Sequence, residues 1–182
     1  MRRIPFAASL LSGLFVGLLA FGSTASAQHK MQTPDQGGQS KLVQIVRNAT
    51  QQYLDINNAI AAGYGPFLGC VNGSDHGAMG VHYVNPTLLN GTVDAAHPQA
   101  LIYEPSPNGQ MKLVGVEFIT FADAWLRNNS GPPVLEGQVF LFVDSPNRFN
   151  IPAFFELHVW AWRNNPLGSF VDWNDHVSCA GQ

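Results

Sequence analysis

Only one stretch of this chain carries a helical period. Leu42, Ile45, Val46, Ala49, Tyr53, Ile56 and Ile60 recur at three- and four-residue spacing, which predicts an amphipathic helix over about residues 41–62. Ser40 is placed to cap it, and Gly63 with Gly65-Pro66 ends it. The apolar segments that follow are short and read as strands. Residues 99–103 and 111–121 form a hairpin across the turn Ser106-Pro107-Asn108-Gly109. Residues 80–84 and 139–143 are short strands, and 154–162 is a longer one rich in aromatic and β-branched side chains. A helix followed by hairpin-joined strands predicts an α+β fold. It would be an antiparallel sheet, open or curled into a half-closed barrel, with one long N-terminal helix packed on a face.

The ends of the chain speak to its compartment. Arg2 and Arg3 precede an apolar run from Phe6 to Phe21, and Ala25-Ser26-Ala27 is a small-x-small cleavage site. Residues 1–27 therefore read as a signal peptide, 28–39 as a polar flexible leader, and 40–182 as a single globular domain. The expectation is a soluble exported protein of a bacterial periplasm or exterior. The two cysteines, Cys70 and Cys179, read as one disulfide in such a compartment. Without Arg2 and Arg3 the balance is seven basic to twelve acidic side chains, with no Lys/Arg cluster. That excludes nucleic acid and anionic membrane surfaces as natural partners, and leaves a small molecule as the open possibility.

Strand alternation gives the chemistry its shape. Leu113, Gly115, Glu117 and Ile119 are expected on one face of their strand, with Glu117 the only ionisable group among them. A carboxylate in that setting must be paired, protonated or metal-bound, because unpaired burial is costly. Glu156, His158, Trp160 and Trp162 are expected to share a face of the last strand. Upstream, the glycine-rich stretch Asp75-His76-Gly77-Ala78-Met79-Gly80-Val81-His82-Tyr83 supplies two more imidazoles.

Three histidines and a carboxylate drawn from separate segments suit a divalent transition metal: Zn, Cu, Fe or Mn. The expected ligands are His76, His82, Glu117 and His158. Asp75, Glu156 and Met79 would stand behind them, and Trp160, Trp162 and Tyr83 would wall a pocket. Asp172 reads as a turn cap, and the alternative for Glu117 and His158 is a metal-free hydrogen-bonded pair. No nucleophile elbow, P-loop, His-Glu-x-x-His, Cys-x-x-Cys or dinucleotide fingerprint is present. The reading is an exported protein with a His/Glu metal site, as a small metalloenzyme would have. The alternative is a non-catalytic module binding a small ligand in an aromatic-walled pocket.

The segments HGAMGVHYVNP (76–86), ALIYEP (100–105), LVGVE (113–117) and LHVWAWRNNP (157–166), followed by DWN (172–174), resemble a family of small exported bacterial proteins to which no activity is assigned. The resemblance spans most of the mature chain. It implies export and a single domain, and it supplies no site residues.

Overall fold

Asp55 divides the helical stretch. Its backbone is extended (φ −91°, ψ 113°), and its carboxylate accepts the backbone N–H of Asn57. A short acidic side chain of this kind competes for backbone donors and starts a new helix rather than continuing an old one. The computed structural model, which describes residues 40–73 and 75–182, therefore has α1 (Lys41–Thr50), a 3-10 turn (Gln51–Leu54) and α2 (Ile56–Ala61) where the period predicts one long helix. The expected signal peptide and leader lie outside the described residues. Ser40 caps α1 by accepting the Val43 N–H. Leu42, Val43 and Val46 are buried against the sheet. Full burial of such side chains stabilises by about 1.5–3 kcal/mol each.

The strands are β1 (Gly65–Asn72), β2 (Ala78–Val84), β3 (Ala100–Pro105), β4 (Met111–Phe121), β5 (Val134–Leu135), β6 (Gln138–Val139), β7 (Leu141–Val143) and β8 (Phe154–Val159). A short helix, α3 (Ala122–Leu126), follows β4. Six strands form one antiparallel sheet in the order β1-β2-β3-β4-β8-β7, curled into a half-barrel, while β5 and β6 make a separate hairpin. β1 is not anticipated by the sequence pattern, because its glycines and prolyl residue read as loop. The 139–143 run splits at Phe140, so its two ends belong to different sheets.

The sheet has two unlike faces. Toward the helices lie Leu101, Tyr103, Val116, Phe118, Leu157 and Val159 in the main core. The opposite face carries a small apolar cluster of Ala78, Ile102, Val114, Trp160 and Val177. Beside it lie the buried polar side chains His82, Glu117, Glu156 and His158. Irregularities decide which residue faces which way. Ile102 pairs with Gly115 and Tyr103 with Leu113, so Val114 is an extra residue in β4. This bulge turns Leu113 to the helix side, away from the face that simple alternation assigns it.

The disulfide Cys70–Cys179 is formed, joining β1 to the C-terminal tail. The tail also bridges to β2 through Ala78 and Asn174. None of the described helices is long and apolar enough to cross a membrane.

The helix-side core predicts an alkaline limit to stability. Tyr64 donates to the Pro98 carbonyl (2.8 Å) and Tyr103 to the Tyr53 carbonyl (2.7 Å). Burial, then neighbouring tyrosines, raise both hydroxyls well above their ordinary value near 10. The unfolded chain gives up these protons first, so stability is lost as pH climbs above about 10. Absorbance at 295 nm should show two of the four tyrosines ionising only as far-UV circular dichroism reports unfolding. Titration of all four near pH 10 with the fold intact would contradict this.

Candidate metal centre

Two neighbouring strands bring the central pair together. Glu117 on β4 lies directly opposite His158 on β8, and Ile119 lies opposite Glu156. His82 arrives from β2, with β3 between it and Glu117. The intervening residues are Ala100, which pairs with Glu117, and Ile102, which pairs with His82. Ala100 presents only a methyl group, so the longer side chains on either side can meet in the curl of the sheet. The His82 Nε2 and Glu117 Oε2 atoms are 3.3 Å apart, and both side chains are buried.

His82, Glu117 and His158 offer one ligand atom each within 4.8 Å of one another. Glu156, His158 and Asp172 form a second group by the same measure. The two imidazoles meet edge to face, with ring centroids 5.8 Å apart. His158 stacks at 6.1 Å on Trp160, whose indole sits over Gly115. A Cβ at Gly115 would stand 3.2 Å from the indole Cε3 and 2.9 Å from the Val159 carbonyl oxygen, so this position must lack a side chain.

His158 is 1% exposed, and neither of its ring nitrogens has a hydrogen-bond partner among the described residues. Asp172 Oδ1 is the nearest carboxylate oxygen to Nδ1, but 3.5 Å is too long for a good hydrogen bond. That oxygen is also buried and without a partner among the described residues. Native interiors rarely leave such atoms unpaired.

Electrostatics sharpen this. Burial, with His158 nearby, pushes the His82 imidazole down to about 3, against a smaller opposing effect of a hydrogen bond to the Gly80 backbone. Burial, then the adjacent Glu156, which also hydrogen-bonds to it, and then Asp172 hold the Glu117 carboxyl well above the usual range. By distance alone His82 and Glu117 look like an ion pair. The directions of both shifts instead favour a neutral imidazole beside a protonated acid. A bound cation would take the place of that proton.

Other residues named from the sequence sit elsewhere. His76 is exposed in the loop before β2 and outside both groups. Gly77 (φ 66°) turns the chain there so closely that a Cβ would stand 2.2 Å from the Asn174 carbonyl oxygen, and this turn leaves His76 off the sheet. His76 lines an outer groove with Asp172 and Trp173. Asp75 is exposed on the same loop, and also outside both groups.

Tyr83 follows His82 on β2, so it points to the helix side and packs edge to face on Tyr103. Trp162 lies beyond the end of β8. The N–H groups of Trp162 and Arg163 both bond the Val114 carbonyl, which ends the alternation. Its indole then bonds Thr50 on α1 (3.0 Å), so it walls no pocket here. Met79 does line a cleft with His82; Gly80, at φ 97°, breaks the strand's alternation between them.

Asp172 is the residue that sequence reasoning misplaces. It lies in the irregular tail, 14 residues after His158, where no period signals its direction. No family model matches the chain, and neither a curated protein nor a solved structure matches it.

Proposed function

We propose that this chain is an exported metal-binding protein in which His82, Glu117 and His158 hold a divalent transition ion. The observation that carries the reading is the pair of buried nitrogens of His158 that have no partner among the described residues, beside two further donors of metal-ligand type. The spacing fits as well. Two ligands held at about 2.0–2.1 Å in a tetrahedron lie about 3.3 Å apart, which is the His82–Glu117 separation of 3.3 Å. Asp172 faces His158 Nδ1 as a carboxylate does when it orients a ligating imidazole. Glu156 supports Glu117 from the next position on the sheet.

Two imidazoles and a carboxylate serve both hydrolytic zinc sites and oxygen-activating iron sites. Three protein ligands leave a position open for water or substrate, as small metalloenzymes require. The disulfide between Cys70 and Cys179 accords with an oxidising compartment.

Elemental analysis of the purified mature protein tests the reading. About one equivalent of Zn, Cu, Fe or Mn is expected, and His82→Ala should lose it. Asp172→Asn keeps the ligands but not their orientation, and should weaken affinity about 10–100-fold. A wild-type protein that stays metal-free after exposure to all four ions would sink the proposal.

A further inference from the structure

One cation cannot satisfy His158. An ion bonds an imidazole through a single ring nitrogen, and both nitrogens of His158 are buried and without a partner among the described residues. Nδ1 is the one that faces Asp172, which leaves Nε2 for an ion held with His82 and Glu117. The distance of 3.5 Å from Nδ1 to Asp172 Oδ1 is long for a hydrogen bond and close to the separation of about 3.3 Å between two ligands on one tetrahedral ion. Glu156, 3% exposed, completes a group of three whose ligand atoms lie within 4.8 Å of one another. Asp172 opens this group to solvent. Its side chain is 26% exposed and lines the outer groove, a hollow of about 400 Å³, with His76, Phe170 and Trp173. Charge points the same way. With an inner ion in place, ionised Glu117, Glu156 and Asp172 carry three negative charges against its two positive ones. No lysine or arginine among the described residues lines the inner cleft or the outer groove. Buried charge of this kind is stable only when paired or bound to metal.

We propose a second divalent-cation site, formed by Glu156, Asp172 and Nδ1 of His158, so that one imidazole bridges two ions. The proposal rests on the inner-ion reading and extends it to a pair. Zinc and copper suit a donor set of one imidazole and two carboxylates. As the second metal–nitrogen bond forms, the Nδ1 proton leaves to solvent, and no electron is transferred. The outer ion is the more weakly bound. It takes the second nitrogen of an imidazole already bonded to a cation, and the groove beside it gives it a route to water. The protein as purified therefore keeps about one equivalent, with Asp172 orienting His158, and the outer site fills on titration. Three protein ligands leave the outer ion a position for water or a substrate oxygen, so a molecule in the groove meets this ion first.

Copper(II) titration of the metal-depleted mature protein, followed by electron paramagnetic resonance, tests this, with equilibrium dialysis against zinc alongside. Both metals should reach two equivalents. The copper resonance should grow over the first equivalent and fall toward zero over the second, because copper(II) ions on the two nitrogens of one imidazole couple antiferromagnetically. Glu156→Gln and Asp172→Asn should each hold a single ion and keep its full signal. His76→Ala should behave as wild type, which separates the site from copper on the exposed groove histidine. Uptake that stops at one equivalent with both metals, or a second copper whose signal simply adds to the first, overturns the two-ion inference and leaves the inner ion standing. A protein that takes up neither metal overturns this inference, and the inner-ion reading falls with it if iron and manganese also fail to bind.

Discussion

Replacing His158 with methionine should abolish binding of the proposed ion and, with both proteins metal-free, leave the variant more stable than the wild type by about 1–2 kcal/mol. The sign is the informative part, because most substitutions at a fully buried position destabilise. His158 is 1% exposed, and both ring nitrogens lack partners among the described residues. A buried donor or acceptor left unsatisfied costs about 1–3 kcal/mol. Methionine fills a similar space with no strong polar atom and adapts to the Trp160 indole beside it. The lost ring stacking offsets part of the gain, by about 0.5–1.5 kcal/mol.

With the ion present the order reverses. A ligand at one hundred times its Kd stabilises the wild type by about 2.7 kcal/mol, and the variant gains nothing. Urea unfolding with and without chelator reads both effects. A metal-free variant several kcal/mol less stable than wild type would mean that His158 has a structural partner, and the metal reading would lose its main support. A residue that costs stability until an ion arrives is the trade expected of a functional position.

How much of this was legible in the sequence depends on how local each signal is. Glu117 and His158 could be aimed correctly because each lies within a regular stretch, and alternation there is a property of the backbone itself. The register that sets them opposite one another is not local, and only the folded sheet supplies it. Tyr83 and Trp162 fail for different reasons. Tyr83 neighbours His82 on a strand, so alternation alone excludes it from the His82 face. Trp162 needs knowledge of where β8 stops, which the bond from its N–H to Val114 determines. His76 looked like a partner of His82 because both lie in glycine-rich chain, yet the turn at Gly77 separates them. Asp172 carries no sequence signal, since a tail without secondary structure has no period. The bulges at Leu68, Gly80 and Val114 are equally silent, although the four glycines of the 69–80 segment hint at irregular backbone.

Removing the disulfide with Cys70→Ala and Cys179→Ala together should cost about 4–5 kcal/mol, the value for a closed loop of roughly a hundred residues in the chain-entropy account. The bond spans 109 residues, so it restrains most of the described chain in the unfolded state. Against a usual net stability of about 5–15 kcal/mol, that loss is a large fraction. The local consequences run toward the site. The bond holds the bulged part of β1 to the tail, where Gln182 accepts the Cys70 N–H (2.6 Å). The same tail supplies Val177 to the small apolar cluster, Asn174 to the bridge with Ala78, and Asp172 to His158. Loosening it should therefore weaken metal affinity as well as global stability. Two measurements separate these effects: urea unfolding of the double variant, and metal titration at low temperature, where the variant remains folded. A stability loss below about 1 kcal/mol would mean that the tail is held by its other contacts and that the bridge is dispensable. An unchanged metal affinity in a destabilised variant would mean that Asp172 keeps its place without the bridge, which would separate the disulfide's role in folding from any role at the site.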